Sequence, residues 1–426
     1  MSDFTFIPDS GSSGDSASLV MPDVWQEGVR TGSGHTFVSG IFRPRRELPV
    51  YCHPIALFFA VWVLMLACLS FHVSYVIYPY FGIPLLIFIV SAASLLLGYF
   101  ASTAVLERDA LQDDANSCVL DVTRLWRLNL LFCAFAMALI GFNWFTSGPP
   151  PAIGDPSSYL TYGNLKQILF PLLTCIAVNA TLDPSRLRRY LFIVFVFGWL
   201  GFYLARGILL VTFLEMFFLF SLRSVTSRRK QYLLALGAFA LAISGVTIIG
   251  NLRTAHDIFI EFLQIRDKYS NWPMVFLWAV SYISIPFSNL CWMVAHGSSH
   301  GPTFAFLYSL LPTFMTPSDP YAEVYGSMNI IDGASTYLQA WALDFSYLGI
   351  YFANLIIGIG CGWLVLRSYP RHILILAIFL TSISLHFFAN TFFLLSTVIQ
   401  LFLQIFVQRR CLYWAQPGIL HADEAS

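Results

Sequence analysis

The sequence is poor in charged residues. Asp, Glu, Lys and Arg make up 11% of its 426 residues, whereas a soluble domain carries about 25%. Residues 269–318 contain none of the four. The chain is also 57% hydrophobic, with a mean hydropathy of +0.70. These values exclude an ordinary soluble domain and predict a polytopic membrane protein.

Several functional signatures are missing as well. The formal net charge is zero, so nothing indicates nucleic-acid binding. The eight cysteines are scattered without a CxxC pair or a Cys/His cluster, which argues against a disulfide framework and a metal site. The chain has no P-loop, HExxH, GxSxG or DxD motif. We therefore expect no metal and no cofactor.

The two ends of the chain differ from its middle. Residues 10–16 are rich in Ser and Gly, and no apolar signal segment follows the N-terminus. We predict a largely disordered cytoplasmic tail over residues 1–50 and a transmembrane domain over residues 51–410. Residues 411–426 form a cytoplasmic C-terminal tail in this prediction.

Long apolar runs predict the transmembrane helices, because a helix needs roughly 17–25 apolar residues to cross a bilayer. The runs lie near 54–71, 79–100, 125–145, 165–182, 190–205, 207–222, 231–250, 346–366, 372–390 and 391–408. Two weaker stretches, 273–295 and 303–316, are interrupted by proline and predict either two short spans or a re-entrant pair. The predicted fold is thus an all-α bundle of about 10–12 transmembrane helices.

The basic residues predict the orientation of these helices, since cytoplasmic loops are rich in Lys and Arg. With the N-terminus in the cytoplasm, 18 of the 23 basic residues fall on that side. The C-terminus is then cytoplasmic too. Residues 251–345 begin and end on the outer face, where they form one large excursion.

Two arginines of the outer face are candidate anion-binding residues. Arg206 lies between two apolar runs with almost no loop, and Arg253 follows the span that ends near residue 250. A guanidinium group can bind a diphosphate through paired hydrogen bonds. The alternatives are an arginine that anchors a tight turn at the membrane surface and a solvated ion pair of Arg253 with Asp257, four positions later.

Four other titratable residues stand out. His256, Asp257 and Asp344 lie on the predicted outer face, where a base could take a proton from a hydroxyl group. We rank Asp344 first because it sits at the mouth of a span, although a carboxylate there can also simply end a helix. Glu215 lies in the middle of a span, so its partner must come from another helix. It is either a structural hydrogen-bonding group or part of a proton path.

This set of groups suits transfer from a phosphate-activated, lipid-linked donor, with arginine stabilising the leaving diphosphate. Several fragments also resemble the Wzy-type polymerases of bacterial O-antigen and exopolysaccharide assembly. They are Ala205-Arg206-Gly207, Gly250-Asn251-Leu252-Arg253, the stretch from Tyr282 to Asn289, Ser335-Thr336-Tyr337, and Leu343-Asp344-Phe345 with Gly349. The resemblance covers roughly residues 190–366.

The resemblance implies a function. It implies polymerisation of undecaprenyl-diphosphate-linked oligosaccharide units at the periplasmic face of the bacterial inner membrane, in an architecture similar to the GT-C-like glycosyltransferases. Arg206 and Arg253 would then have catalytic roles. The partners would be the lipid-linked oligosaccharide and the bilayer, together with a flippase and a chain-length regulator.

Two other functions fit the sequence. One is an O-antigen ligase, which moves a finished glycan to a lipid A core. The other is a transporter or flippase of a glycolipid, for which charges near the middle of the spans are expected. Only Glu215 clearly has such a position, and this favours an enzyme.

Overall fold

The computed structural model describes about two thirds of the chain. The described residues are 29–30, 36–38, 48–106, 118–148, 165–203, 205–223, parts of 230–248, 260–261, 263–296, 304–311, 315, 336–367, 372–386 and 392–414. Within them the protein is predominantly helical, as the sequence predicts.

The helices follow the apolar runs of the sequence. They are α1 (Pro54–Ser70), α2 (Gly82–Leu106), α3 (Val122–Ser147), α4 (Lys166–Ala180), α5 (Arg186–Phe202), α6 (Arg206–Arg223), the short α7 (Asp267–Ser270), α8 (Met274–His296), α9 (Leu338–Arg367), α10 (Ile373–Ser384) and α11 (Leu395–Cys411). Two 3-10 helices occupy Val50–Cys52 and Ala305–Leu310.

Local sequence explains several helix ends. Pro54 occupies the first turn of α1, where its missing N–H removes no helical hydrogen bond. The Asp121 side chain caps α3 by accepting the Arg124 N–H at 2.9 Å. Gly148 ends α3 with a φ of 86°, a conformation that glycine adopts without strain.

Four described helices are long and apolar enough to cross a membrane: α2, α3, α8 and α9. Three shorter apolar helices, α1, α4 and α10, lie at other predicted spans. The weaker stretch at 273–295 is one helix that continues through Pro286. The described part of the other, at 303–316, is a 3-10 helix of six residues, which is too short to be one of two short spans, and the re-entrant alternative stays a prediction.

A small sheet accompanies the helices. Its strands are β1 (Val29–Arg30), β2 (Thr36–Val38), β3 (Cys118–Asp121) and β4 (Leu412–Trp414), all antiparallel in the order β1-β2-β3-β4. The sheet joins part of the N-terminal tail to the segment before α3 and to the end of the chain. The helical periodicity gives no sign of it, because each strand is at most four residues long.

The buried residues form two clusters. One lies among α3, α4, α5, α6, α10 and α11. The other lies among α1, α2, α8 and α9. The two groups of helices meet through α10, since Phe379 packs against both clusters.

Segments that the basic residues assign to one side contact each other. On the predicted inner side, the sheet unites three such segments, and the Arg223 guanidinium donates to the Thr181 carbonyl at 2.6 Å. On the predicted outer side, the rings of Phe71 and Trp272 lie 5.9 Å apart. The connection between α1 and α2 also contacts α8 and the residue pair before it, since Trp272 meets Phe71 and Trp292 donates to the Val76 carbonyl at 3.0 Å. The side of the membrane on which residues 251–345 begin and end stays a prediction.

We expect reporter fusions to follow the same division. A fusion near residue 260 or 325 should report a periplasmic position, and one near residue 226 or 369 a cytoplasmic position, because the basic residues cluster at the latter two. Paired alkaline phosphatase and fluorescent protein fusions would measure this. A cytoplasmic signal at residue 325 would contradict the predicted orientation.

The closest helix pair is α2 with α9. A Cβ atom placed on Gly358 would lie 2.2 Å from the Leu95 carbonyl oxygen, and one on Gly98 would lie 2.3 Å from that of Leu355. Gly362 faces the Tyr99 carbonyl and Ser102 in the same way. The two helices therefore run parallel, with glycines permitting the close approach of their backbones.

Gly358→Ala should therefore destabilise the protein, although alanine is the better helix former. The added methyl group would collide with backbone, and overpacking of this kind costs about 1–3 kcal/mol. Thermal denaturation of the purified protein in detergent would measure the loss. Gly141→Ala is the matched control, because nothing lies within 4 Å of a Cβ at that position. Equal denaturation temperatures for both variants would show that the α2–α9 contact is looser than described.

Candidate functional site

Asp344 lies in a bend between two parts of α9. Its side chain is buried, with 6% exposure, and its Oδ2 accepts the backbone N–H of Phe306 at 3.3 Å. Phe306 belongs to the 3-10 helix Ala305–Leu310. The charge-free segment thus folds back onto the carboxylate that the sequence singles out.

The bend has a specific backbone cause. Ser346 has φ 52° and ψ −136°, values that interrupt the helix two residues after Asp344. Gly349 then approaches the Trp341 carbonyl so closely that a Cβ would lie 2.0 Å from its oxygen. A non-glycine residue at positive φ is costly, and such residues cluster at functional sites. The predicted span at 346–366 begins at this bend.

Aromatic side chains are frequent on the segments that meet at Asp344. We call Phe304, Phe306, Trp341, Phe345 and Phe393 the aromatic shelf. The rings of Phe306 and Trp341 stack with centroids 4.0 Å apart, and Trp341 lies 5.2 Å from Phe393. Phe304 is 53% exposed, so the shelf reaches the surface. Its geometry suits the stacking of rings from a ligand.

Buried polar atoms near the shelf lack partners among the described residues. They are Trp341 Nε1, Gln339 Oε1 and Thr336 Oγ1. A buried polar group without a hydrogen bond costs about 1–3 kcal/mol. Together they offer one donor, one acceptor and one hydroxyl group to a polar ligand or to water.

Arg206 begins α6 directly after the turn that closes α5. The Ala205 N–H donates to the Leu200 carbonyl at 3.0 Å, so the predicted tight turn is confirmed. The side chain of Arg206 lies outside the described part of the structure. Its neighbour Gly207 lines a cavity of about 120 Å³.

The cavity lies among α4, α6, α10 and α11. Its polar lining consists of Thr174, Glu215, Thr381, Ser382, Ser396, Thr397 and Gln400. The Gln400 amide nitrogen donates to Glu215 Oε2 at 2.5 Å, and the hydroxyl groups of Thr174 and Thr212 lie 2.8 Å apart. The predicted need for a partner of Glu215 from another helix is confirmed.

The aromatic shelf and the cavity adjoin each other. The Ser309 hydroxyl group, on the 3-10 helix beside Asp344, donates to the Phe393 carbonyl. Leu394, the next residue, lines the cavity. Residues 393–394 therefore connect the surroundings of Asp344 with the cavity that begins beside Arg206.

The other predicted site residues cannot be placed in this way. Arg253, His256 and Asp257 lie outside the described residues. Outside the predicted site residues, His386 is buried among aromatic rings, with Phe58 at 5.5 Å and Trp62 at 5.7 Å, and its Nδ1 bonds to the Ile383 carbonyl at 2.5 Å. This is the role of a packed core histidine.

Sequence reasoning missed two features of this region. The first is the contact of Phe306 with Asp344, which joins residues 38 positions apart and leaves no local signal. The second is a set of buried glutamines on α11, visible in the sequence as Gln400, Gln404 and Gln408 at four-residue spacing. That spacing places all three on one helical face.

No group of three His, Cys, Asp or Glu side chains that could hold a metal ion occurs in the described part of the chain. Comparison of the whole sequence and structure with family models, with curated proteins and with solved structures found no match.

Proposed function

We propose that the protein is a membrane glycosyltransferase that polymerises undecaprenyl-diphosphate-linked oligosaccharide units. In this proposal residues 251–345 form a periplasmic excursion of a GT-C-like bundle with about 10–12 spans, in the bacterial inner membrane. The growing chain is the donor, and the terminal sugar of a new unit is the acceptor. The product is O-antigen or exopolysaccharide.

The observation that carries the proposal is the position of Asp344. A buried carboxylate held against a backbone N–H, beside a partly exposed aromatic shelf, suits a base next to a sugar-binding surface. The cavity beside Arg206 adjoins this shelf through residues 393–394. A base and an anion-binding residue are the two groups that glycosyl transfer from a diphosphate requires.

The proposed reaction is a displacement at the anomeric carbon of the donor. The acceptor hydroxyl oxygen bonds to this carbon and gives its proton to Asp344, with His256 and Asp257 as the other candidate bases. The bond from the anomeric carbon to the diphosphate oxygen breaks, and undecaprenyl diphosphate leaves. Arg206 and Arg253 bind the diphosphate and stabilise its increasing negative charge, so arginine takes the place of a metal ion.

The test is an assay of the purified protein in liposomes with its lipid-linked oligosaccharide. A polymerase gives a ladder of lipid-linked products and releases undecaprenyl diphosphate without any other acceptor. A ligase gives no product until a lipid A core is added. A flippase moves the lipid between leaflets without changing it. The result expected of a ligase or the result expected of a flippase would overturn the proposal.

A further inference from the structure

Helix α11 carries a line of polar side chains on the face that is buried against other helices. Gln400, Gln404 and Gln408 follow each other at four-residue intervals and are all buried, with exposures of 4%, 0% and 7%. Amide side chains inside a membrane domain are costly unless their hydrogen bonds are satisfied. Three in one line therefore need an explanation beyond packing.

Gln400 and Gln408, at the two ends of the line, have titratable partners. The Gln400 amide nitrogen donates to Glu215 Oε2 at 2.5 Å. The Gln408 amide nitrogen lies 2.8 Å from His372 Nδ1, which must accept because the amide nitrogen only donates. Glu215 and His372 thus mark the two ends of the line.

Gln404, between them, is fully buried, and neither its amide nitrogen nor its amide oxygen has a hydrogen-bond partner among the described residues. Within the same part of the chain, the buried Thr381 hydroxyl group, which lines the cavity beside Glu215, has no partner either. A polar group that is buried without a hydrogen-bond partner lowers the free energy of unfolding by about 1–3 kcal/mol. Ordered water is the usual solution where several such groups lie together.

The line extends over most of the helix. From Thr397 at the cavity to Gln408 the helical rise corresponds to roughly 16 Å. The apolar core of a bilayer is about 30 Å thick. Beyond Gln408 the chain reaches Arg409 and Arg410 in the last turn of α11.

Glu215 is the titratable group on this line that lies beside the cavity. Helix α4 contributes Thr174, which precedes the buried thiol of Cys175. Helix α10 contributes Thr381 and Ser382, and α11 contributes Gln400. The buried residues of α5 are apolar. No cation among the described residues forms an ion pair with Glu215.

We propose that α11 borders a hydrated proton path that connects the cavity with His372, with Glu215 as its protonation site. The Glu215 carboxyl group gives its proton to a water molecule at Gln404, and water on the cavity side returns a proton to the carboxylate. The proton that leaves passes to Nδ1 of His372, where it displaces the Gln408 amide, and the imidazolium then releases a proton to water beyond the end of the line. The glutamine amides orient the water without being titrated, and no oxidation or reduction is involved.

This proposal and the proposed glycosyl transfer share the cavity but require different residues. The proton path needs the contacts of α4, α6, α10 and α11, whereas the proposed enzyme site needs Asp344 and the two arginines. Loss of proton movement with normal polymer synthesis, or the reverse, separates the two.

Proton flux into liposomes provides the test. The purified protein is placed in vesicles that contain a pH-sensitive dye, and a potassium diffusion potential drives protons inward. Wild-type protein should acidify the lumen faster than protein-free vesicles. Glu215→Gln should return the rate to that of protein-free vesicles, because the amide can still accept the Gln400 hydrogen bond but cannot release a proton.

Gln404→Met should also abolish the flux, because an unbranched apolar side chain of similar size removes the water-binding amide. Glu261→Gln and Gln167→Met are the matched controls, on an exposed carboxylate and on a partly exposed amide of α4, and both should conduct like wild type.

Infrared spectra add a readout of folded protein: a carbonyl band of a protonated carboxylic acid should be present in wild type and lost in Glu215→Gln. Wild-type flux equal to that of empty vesicles, or unchanged flux in Glu215→Gln, would overturn the proposal.

Discussion

Asp344→Asn is expected to lower polymer synthesis by about 10²–10⁴-fold, the usual contribution of a general base. The asparagine side chain has the same shape, and its oxygen can still accept the Phe306 N–H that Asp344 accepts at 3.3 Å. The bend at Ser346 and the aromatic shelf should therefore persist. Turnover of lipid-linked units in liposomes, compared with binding of the donor, would measure the loss, because the base is required for turnover and not for binding.

Asp267→Asn is the control for this variant, since Asp267 is an exposed carboxylate of the short helix α7. It should polymerise like wild type. Normal turnover in Asp344→Asn would remove Asp344 from the mechanism and turn attention to His256 and Asp257. Normal turnover in His256→Gln as well would favour a route in which the acceptor loses its proton to water.

Arg206→Ala and Arg253→Ala should each abolish detectable polymer while the protein still inserts into the membrane. Loss of one group that stabilises negative charge in a transition state costs about 10²–10³ in rate. Lysine at either position should restore little activity, because an ammonium group cannot reproduce the paired hydrogen bonds of a guanidinium group. Product ladders on gels, with protein amounts measured in isolated membranes, would show the effect.

The control for the arginines is Lys166→Ala, which removes an exposed positive charge at the start of α4, on the predicted outer side. If the effect were only a change in surface charge, this variant would lose activity as well. Full-length polymer from both arginine variants would show that the diphosphate is bound elsewhere. The polymerase proposal would then depend on Asp344 and the aromatic shelf alone.

The sequence predicted the helices more accurately than the site. Most apolar runs form helices that begin and end within a few residues of the predicted positions. In lipid the backbone N–H and C=O groups of each run must hydrogen-bond within that run, so each one forms a helix whatever its neighbours are. The described part of 303–316 is a 3-10 helix and not a short span, and it packs against α9 and α11. The need of Glu215 for a partner was predictable, but the identity of Gln400 was not.

What the sequence by itself determined is the membrane class of the protein and the positions of most of its helices, whereas the division of its loops into two sides stays a prediction. These follow from local properties, namely the scarcity of charge, the length of apolar runs and the distribution of Lys and Arg. Only the tertiary structure decided that Phe306 meets Asp344, that Gln400 meets Glu215 and that glycines join α2 to α9. Such contacts depend on how whole helices pack, because they join residues far apart in the chain whose meeting no local pattern encodes.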